Sequence, residues 1–80
     1  MSIRDDFAAF IEDIGARIGT PVMCRRMHRP AYEFDGEIYP AFEEYEVREP
    51  RTRRVWMFDV SLASLSREHA RDVVQWELER

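Results

Sequence analysis

The sequence predicts an α+β fold of order α-β-β-β-α, a three-stranded antiparallel sheet with two helices packed on one face, in a single domain over residues 1–80. Three observations carry that prediction. Apolar residues recur at helical spacing near each end of the chain. Between them lie runs rich in Val, Tyr, Phe and Trp, the residues that suit a pleated, half-buried surface. The breaks between those runs carry turn signals, at Asp35-Gly36 and at Glu49-Pro50.

The first helix rests on Ile3, Phe7, Phe10, Ile11, Ile14 and Ile18, which fall on one stripe and predict a helix from Ile3 to Ile18. Ser2 followed by Asp5 resembles a capping box, and Gly19 then Pro21 supplies the stop. Val22 to Arg29 reads as the first strand. A strict two-residue turn at Asp35-Gly36 would bring Arg26 and His28 onto the core face, so a longer loop across 30–37 is expected. Ile38 to Arg48 reads as the second strand, with Pro40 placing its start at a sheet edge. A turn at 49–52 then leads into a third strand from Arg53 to Val60 and sets Tyr45 opposite Trp56 and Glu43 opposite Phe58.

That register sorts the side chains into two faces. Ala41, Tyr45, Val47, Trp56, Phe58 and Val60 share the core face. Phe42, Glu44, Glu46, Val55, Met57 and Asp59 share a half-polar open face, as expected of an antiparallel sheet covered on one side. Ser64 or Ser66 caps the last helix, whose stripe is Ala70, Val73, Val74 and Leu78. Trp76 falls off that stripe, which marks it as an interface residue for a partner or a second copy.

Composition narrows the function. Cys24 is the lone cysteine, so no intrachain disulfide forms, and with only His28 and His69 beside it the usual Cys/His zinc site is excluded. A reducing, cytoplasmic setting is the expectation. No apolar run approaches the ~18 residues that span a membrane, and Asp5 and Asp6 are unlike a signal peptide. On a strand, Cys24 and His28 share a face but stand ~13 Å apart, too far for a nucleophile and its base. Glu44 and Glu46 share a face at ~7 Å, but nothing in the sequence supplies the pocket that would raise one pKa. No enzyme, cofactor or metal is expected.

Charge is the distinctive feature. All 12 basic residues are arginine. Residues 31–50 hold seven acids (Glu33, Asp35, Glu37, Glu43, Glu44, Glu46, Glu49) against Arg48 alone, so the net charge of −4 arises there. A carboxylate strip of this density suits the binding of a basic surface. Two arginine groups, Arg25, Arg26 and Arg29 and then Arg51, Arg53 and Arg54, have the chemistry to touch phosphates. The same arginines can instead pair with Glu44, Glu46 and Glu49 across the sheet.

A small, acidic α+β chain with a carboxylate-dense hairpin from Glu33 to Glu49 resembles, in size, charge and style, the small phage-encoded anti-CRISPR proteins. The resemblance implies a non-enzymatic inhibitor that covers a basic surface of a nucleic-acid-handling effector in the host cytoplasm and blocks its DNA binding. The scattered arginines depart from strongly acidic DNA mimics and point to a mixed interface. The partner-binding residues expected on this reading are Tyr32, Glu33, Asp35, Glu37, Phe42, Glu43, Glu44, Glu46 and Trp76. Two alternatives stay open: a DNA- or RNA-binding module using the arginines, and a structural or homodimerising subunit.

Overall fold

The computed structural model describes residues 5–80. Its order is α1 (Asp6–Arg17), β1 (Met23–Arg29), β2 (Tyr32–Phe34), β3 (Glu37–Tyr39), β4 (Phe42–Glu49), β5 (Arg54–Asp59), a 3-10 turn over Val60–Ser64, and α2 (Arg67–Glu79). The fold class is the expected α+β one, with a three-stranded antiparallel sheet in the order β1-β4-β5. A separate two-stranded ribbon, β2-β3, is added to it.

Asp5 caps α1, its carboxylate accepting from the Phe7 and Ala8 N–H groups at 2.9 and 3.1 Å. The expected start at Ile3 and the cap at Ser2 lie outside the described residues. The helix ends where Gly19 takes a φ of 79° and the Thr20 N–H reaches back to the Gly15 carbonyl at 2.8 Å. That left-handed residue costs a glycine little, which is why the helix stops there. Ala8, Ile11 and Ile14 of α1 meet Val74 and Leu78 of α2 over Tyr45, Val47 and Phe58 of the sheet, and this cluster is the core.

The tight turn at Asp35-Gly36 forms after all, with φ of 53° and 79°, and the expected loop across 30–37 is replaced by β2 and its turn. The expected strand Ile38–Arg48 is two strands, because Pro40 offers no N–H to a ladder. Pro30 interrupts the facing chain at the same level. Ribbon and sheet nevertheless share one register, with Arg29 opposite Phe42 and Tyr32 opposite Tyr39. The strict turn does place Arg26 and His28 on the helix side of the sheet, but at its uncovered rim, where both are exposed.

The β4-β5 register is shifted by two residues from the expected one: Tyr45 faces Phe58 and Val47 faces Trp56. Glu49 stays in the ladder opposite Arg54, and the loop is 50–53 instead of 49–52. Pro50 is the first residue unable to donate to a ladder. Arg53, at a φ of 63°, closes the loop with its N–H on the Glu49 carbonyl at 2.8 Å. A shift of two preserves faces, so the sorting of Tyr45, Val47, Trp56 and Phe58 from Phe42, Glu44, Glu46, Val55, Met57 and Asp59 stands. Ala41 is the exception: expected in the core, it is exposed at the junction with the ribbon. Val60 leaves the strand to enter the 3-10 turn, and Ser66 is the α2 cap.

Candidate binding surface

Alternation along β4 places Glu44, Glu46 and Arg48 on the open face, beside Arg25 and Arg29 of β1. Glu46 accepts from Arg48 Nε at 2.7 Å and from Arg25 Nε at 3.1 Å. The Arg48 hydrogen bond is the main force holding its carboxyl below the ordinary range; burial opposes, and Arg25 adds to the lowering. Glu44 lies 3.8 Å from Arg29 Nε. The column of charge at the middle of the sheet is therefore internally paired, and its residue 46 side chain has little contact with solvent.

Glu43 points to the helix side, where Arg26 takes its Oε2 with Nε at 2.9 Å and with Nη2 as well. Arg26 Nη1 also reaches Asp5 Oδ2 at 3.3 Å, and the Tyr45 hydroxyl donates to Asp5 Oδ1 at 3.0 Å. Burial, reinforced by the bond to Asp5, pushes the Tyr45 hydroxyl up to about 12. Burial also works to raise the Asp5 carboxyl, but the Ala8 N–H, Tyr45, Arg26 and the Phe7 N–H together hold it below its ordinary value. Asp5 thus ties the start of α1 to the rim of the sheet.

The ribbon differs in every respect. All six of its strand residues are exposed. Tyr32, Phe34, Glu37 and Tyr39 share one side, and Glu33 and Ile38 share the other, with Asp35 at the tip. The Tyr32 and Tyr39 rings stack at 4.9 Å between centroids, 11° from parallel, and the Tyr39 hydroxyl donates to Glu37 at 3.2 Å. Phe34 and Ile38 are 67% and 77% exposed. Among the described residues no arginine lies within ion-pair distance of Glu33, Asp35 or Glu37.

Of the nine residues expected to bind a partner, Tyr32, Glu33, Asp35 and Glu37 come together on the ribbon. Phe42, 46% exposed, stands at its foot on the open face, next to the paired Glu44 and Glu46. Trp76 is 60% exposed but belongs to the opposite end. There the neighbouring Glu77 carbonyl accepts from Trp56 Nε1 at 3.1 Å, and the Arg80 guanidinium lies 4.8 Å over the Trp76 ring. Phe34 escapes sequence reasoning because a loop is expected across 30–37, and Ile38 and Tyr39 because they are expected to begin the central strand and not a separate exposed ribbon. The available signal is Pro30 and Pro40, which fall on either side of Asp35-Gly36, one residue out of step in the register that the turn dictates.

Arg54 stacks on Trp56 at 4.4 Å and donates to the Arg80 carbonyl at 2.9 Å. His28 and His69 are exposed and Cys24 is half-buried on β1. Among the described residues no three His, Cys, Asp or Glu side chains group as metal ligands. Among the described residues no helix is long and apolar enough to cross a membrane. Compared with protein-family models, curated proteins and solved structures, the chain has no significant match.

Proposed function

We propose that this chain is a non-enzymatic protein-binding domain that inserts its β2-β3 ribbon against a basic surface of a nucleic-acid-handling effector and blocks DNA binding there, as small anti-CRISPR inhibitors do. One observation supports this above the rest. The ribbon exposes Tyr32, Phe34, Ile38 and Tyr39 around Glu33, Asp35 and Glu37, carboxylates with no arginine at ion-pair distance among the described residues. An isolated two-stranded ribbon is marginal in water, so exposed aromatics on one are better explained by a surface they meet than by folding. Aromatic anchors ringed by charge are the usual makeup of a binding centre, and the carboxylates would speed and orient association.

The nucleic-acid alternative draws on Arg25, Arg26 and Arg29, which are engaged by Glu46, by Glu43 with Asp5, and by Glu44. Phosphate binding there would first have to break those pairs. The test is capture from host lysate by the wild-type chain and by E33R/D35N/E37R, with Asn at the positive-φ position 35. The expected result is an effector with a basic surface, retained by the first and lost by the second, whose retention of duplex DNA falls when the wild-type chain is added. Retardation of duplex DNA by the chain alone at low salt would instead support the arginine reading.

A further inference from the structure

We infer that the chain associates with further copies of itself head to tail, the ribbon of one copy seating in the cleft beside the β4-β5 loop of the next. The inference rests on the ribbon as a binding surface but needs no foreign partner. The two surfaces lie at opposite ends of β4, whose eight residues run from the foot of the ribbon at Phe42 to the loop after Glu49. That separates them by roughly 25 Å of strand, in a molecule 45 Å along its longest axis. One copy therefore cannot satisfy both ends by itself.

The ends are complementary in charge and in apolar character. At the ribbon, Glu33, Asp35 and Glu37 flank exposed Phe34 and Ile38. At the loop, a cleft of about 400 Å3 is lined by Met23, Pro50 and Val55 together with Arg48, Arg53 and Arg54. Met23 and Val55 are exposed apolar residues, and the carboxylate of Glu49 is engaged by the Thr52 hydroxyl at 2.7 Å. Arg51 and Arg53 have no carboxylate at ion-pair distance among the described residues. Because the contact joins two different patches, it leaves a ribbon at one end and a cleft at the other, so growth continues beyond two copies unless the rotation closes a ring.

Sedimentation velocity of the pure chain across a concentration series tests this. At about 10 mM salt, where the Debye length is about 30 Å, the mean mass should rise with concentration above 9.6 kDa. At about 1 M salt, where it is about 3 Å, the mass should return to that of one chain. Two variants locate the contact: E33Q/D35N/E37Q, in which Asn suits the positive φ at position 35, and R51Q/R53Q. All five positions are exposed, and circular dichroism confirms folding. Each variant alone should stay a single chain. An equimolar mixture should stop at twice the mass, because one intact ribbon then meets one intact cleft. A wild-type chain that stays at 9.6 kDa up to about 1 mM, association that survives in either variant, or a mixture that stays at one chain would overturn the inference. If capture from lysate fails while sedimentation gives this pattern, the effector reading fails and the self-association stands.

Discussion

Two groups of carboxylates sit within one short stretch of chain and meet opposite fates. Glu43, Glu44 and Glu46 lie in a strand flanked by β1, whose Arg25, Arg26 and Arg29 stand across from them and take up their charge. Glu33, Asp35 and Glu37 lie beyond Pro30 and Pro40, where each strand has only the other as neighbour, and that neighbour carries no arginine. Availability of charge is thus set by what stands opposite in the register, and residue type alone does not reveal it. The sheet carboxylates organise the fold, and the ribbon carboxylates remain for something else.

The widest difference between the regions should appear in tyrosines. Tyr45 is buried under α1, against Phe7 at 5.2 Å between ring centroids. Tyr45→Ala should cost about 3–5 kcal/mol, as large aromatic truncations in cores do. Tyr39→Ala removes the stack on Tyr32 and an exposed hydrogen bond to Glu37 and should cost about 0.5–1.5 kcal/mol. Equal losses in urea denaturation would abolish the distinction between sheet and ribbon. A smaller effect should follow from Asp5→Ala, which removes the α1 cap along with acceptors for Tyr45 and Arg26. The expected loss is about 0.5–2 kcal/mol, with a fall in helical circular dichroism.

The pH dependence should come from the sheet side and be smaller still. Asp5 and Glu46 have carboxyls lowered from ordinary values of 3.8 and 4.5, so folding favours their ionised forms. Their contribution is full above those values and is lost as pH falls through the lowered ones. Tyr45 runs the other way: its neutral form is favoured, so its contribution is full below 10.0 and is lost as pH rises toward about 12. Denaturation midpoints across both limbs check this. An alkaline limb unchanged by Tyr45→Phe would show that another group titrates there.

Much of the fold could be read from the sequence because period and punctuation agree with it. The α1 stripe and the two sheet faces follow from side-chain spacing, which survives a register error of two residues, and the α2 cap is narrowed to Ser64 or Ser66, of which the structure uses Ser66. The ribbon was harder to read. Arg26 and His28 looked unacceptable on a core face, yet the helices leave that rim open, and Arg26 fills it by bridging Glu43 and Asp5. Whether a polar residue on the inner face is buried depends on how far the helices reach, which no local pattern encodes. Pairing of Glu44 and Glu46 with arginines across the sheet is legible in the sequence as an alternative, but choosing it over an open acidic face requires the β1-β4 register.

The most direct test is a double comparison of E33Q/D35N/E37Q with E43Q/E44Q/E46Q, measuring both urea denaturation and retention of the captured effector per folded molecule. The ribbon variant should lose effector and keep the wild-type midpoint, while the sheet variant should lower the midpoint and keep effector. The reverse pattern, binding lost with the sheet glutamates and stability lost with the ribbon ones, would contradict the account.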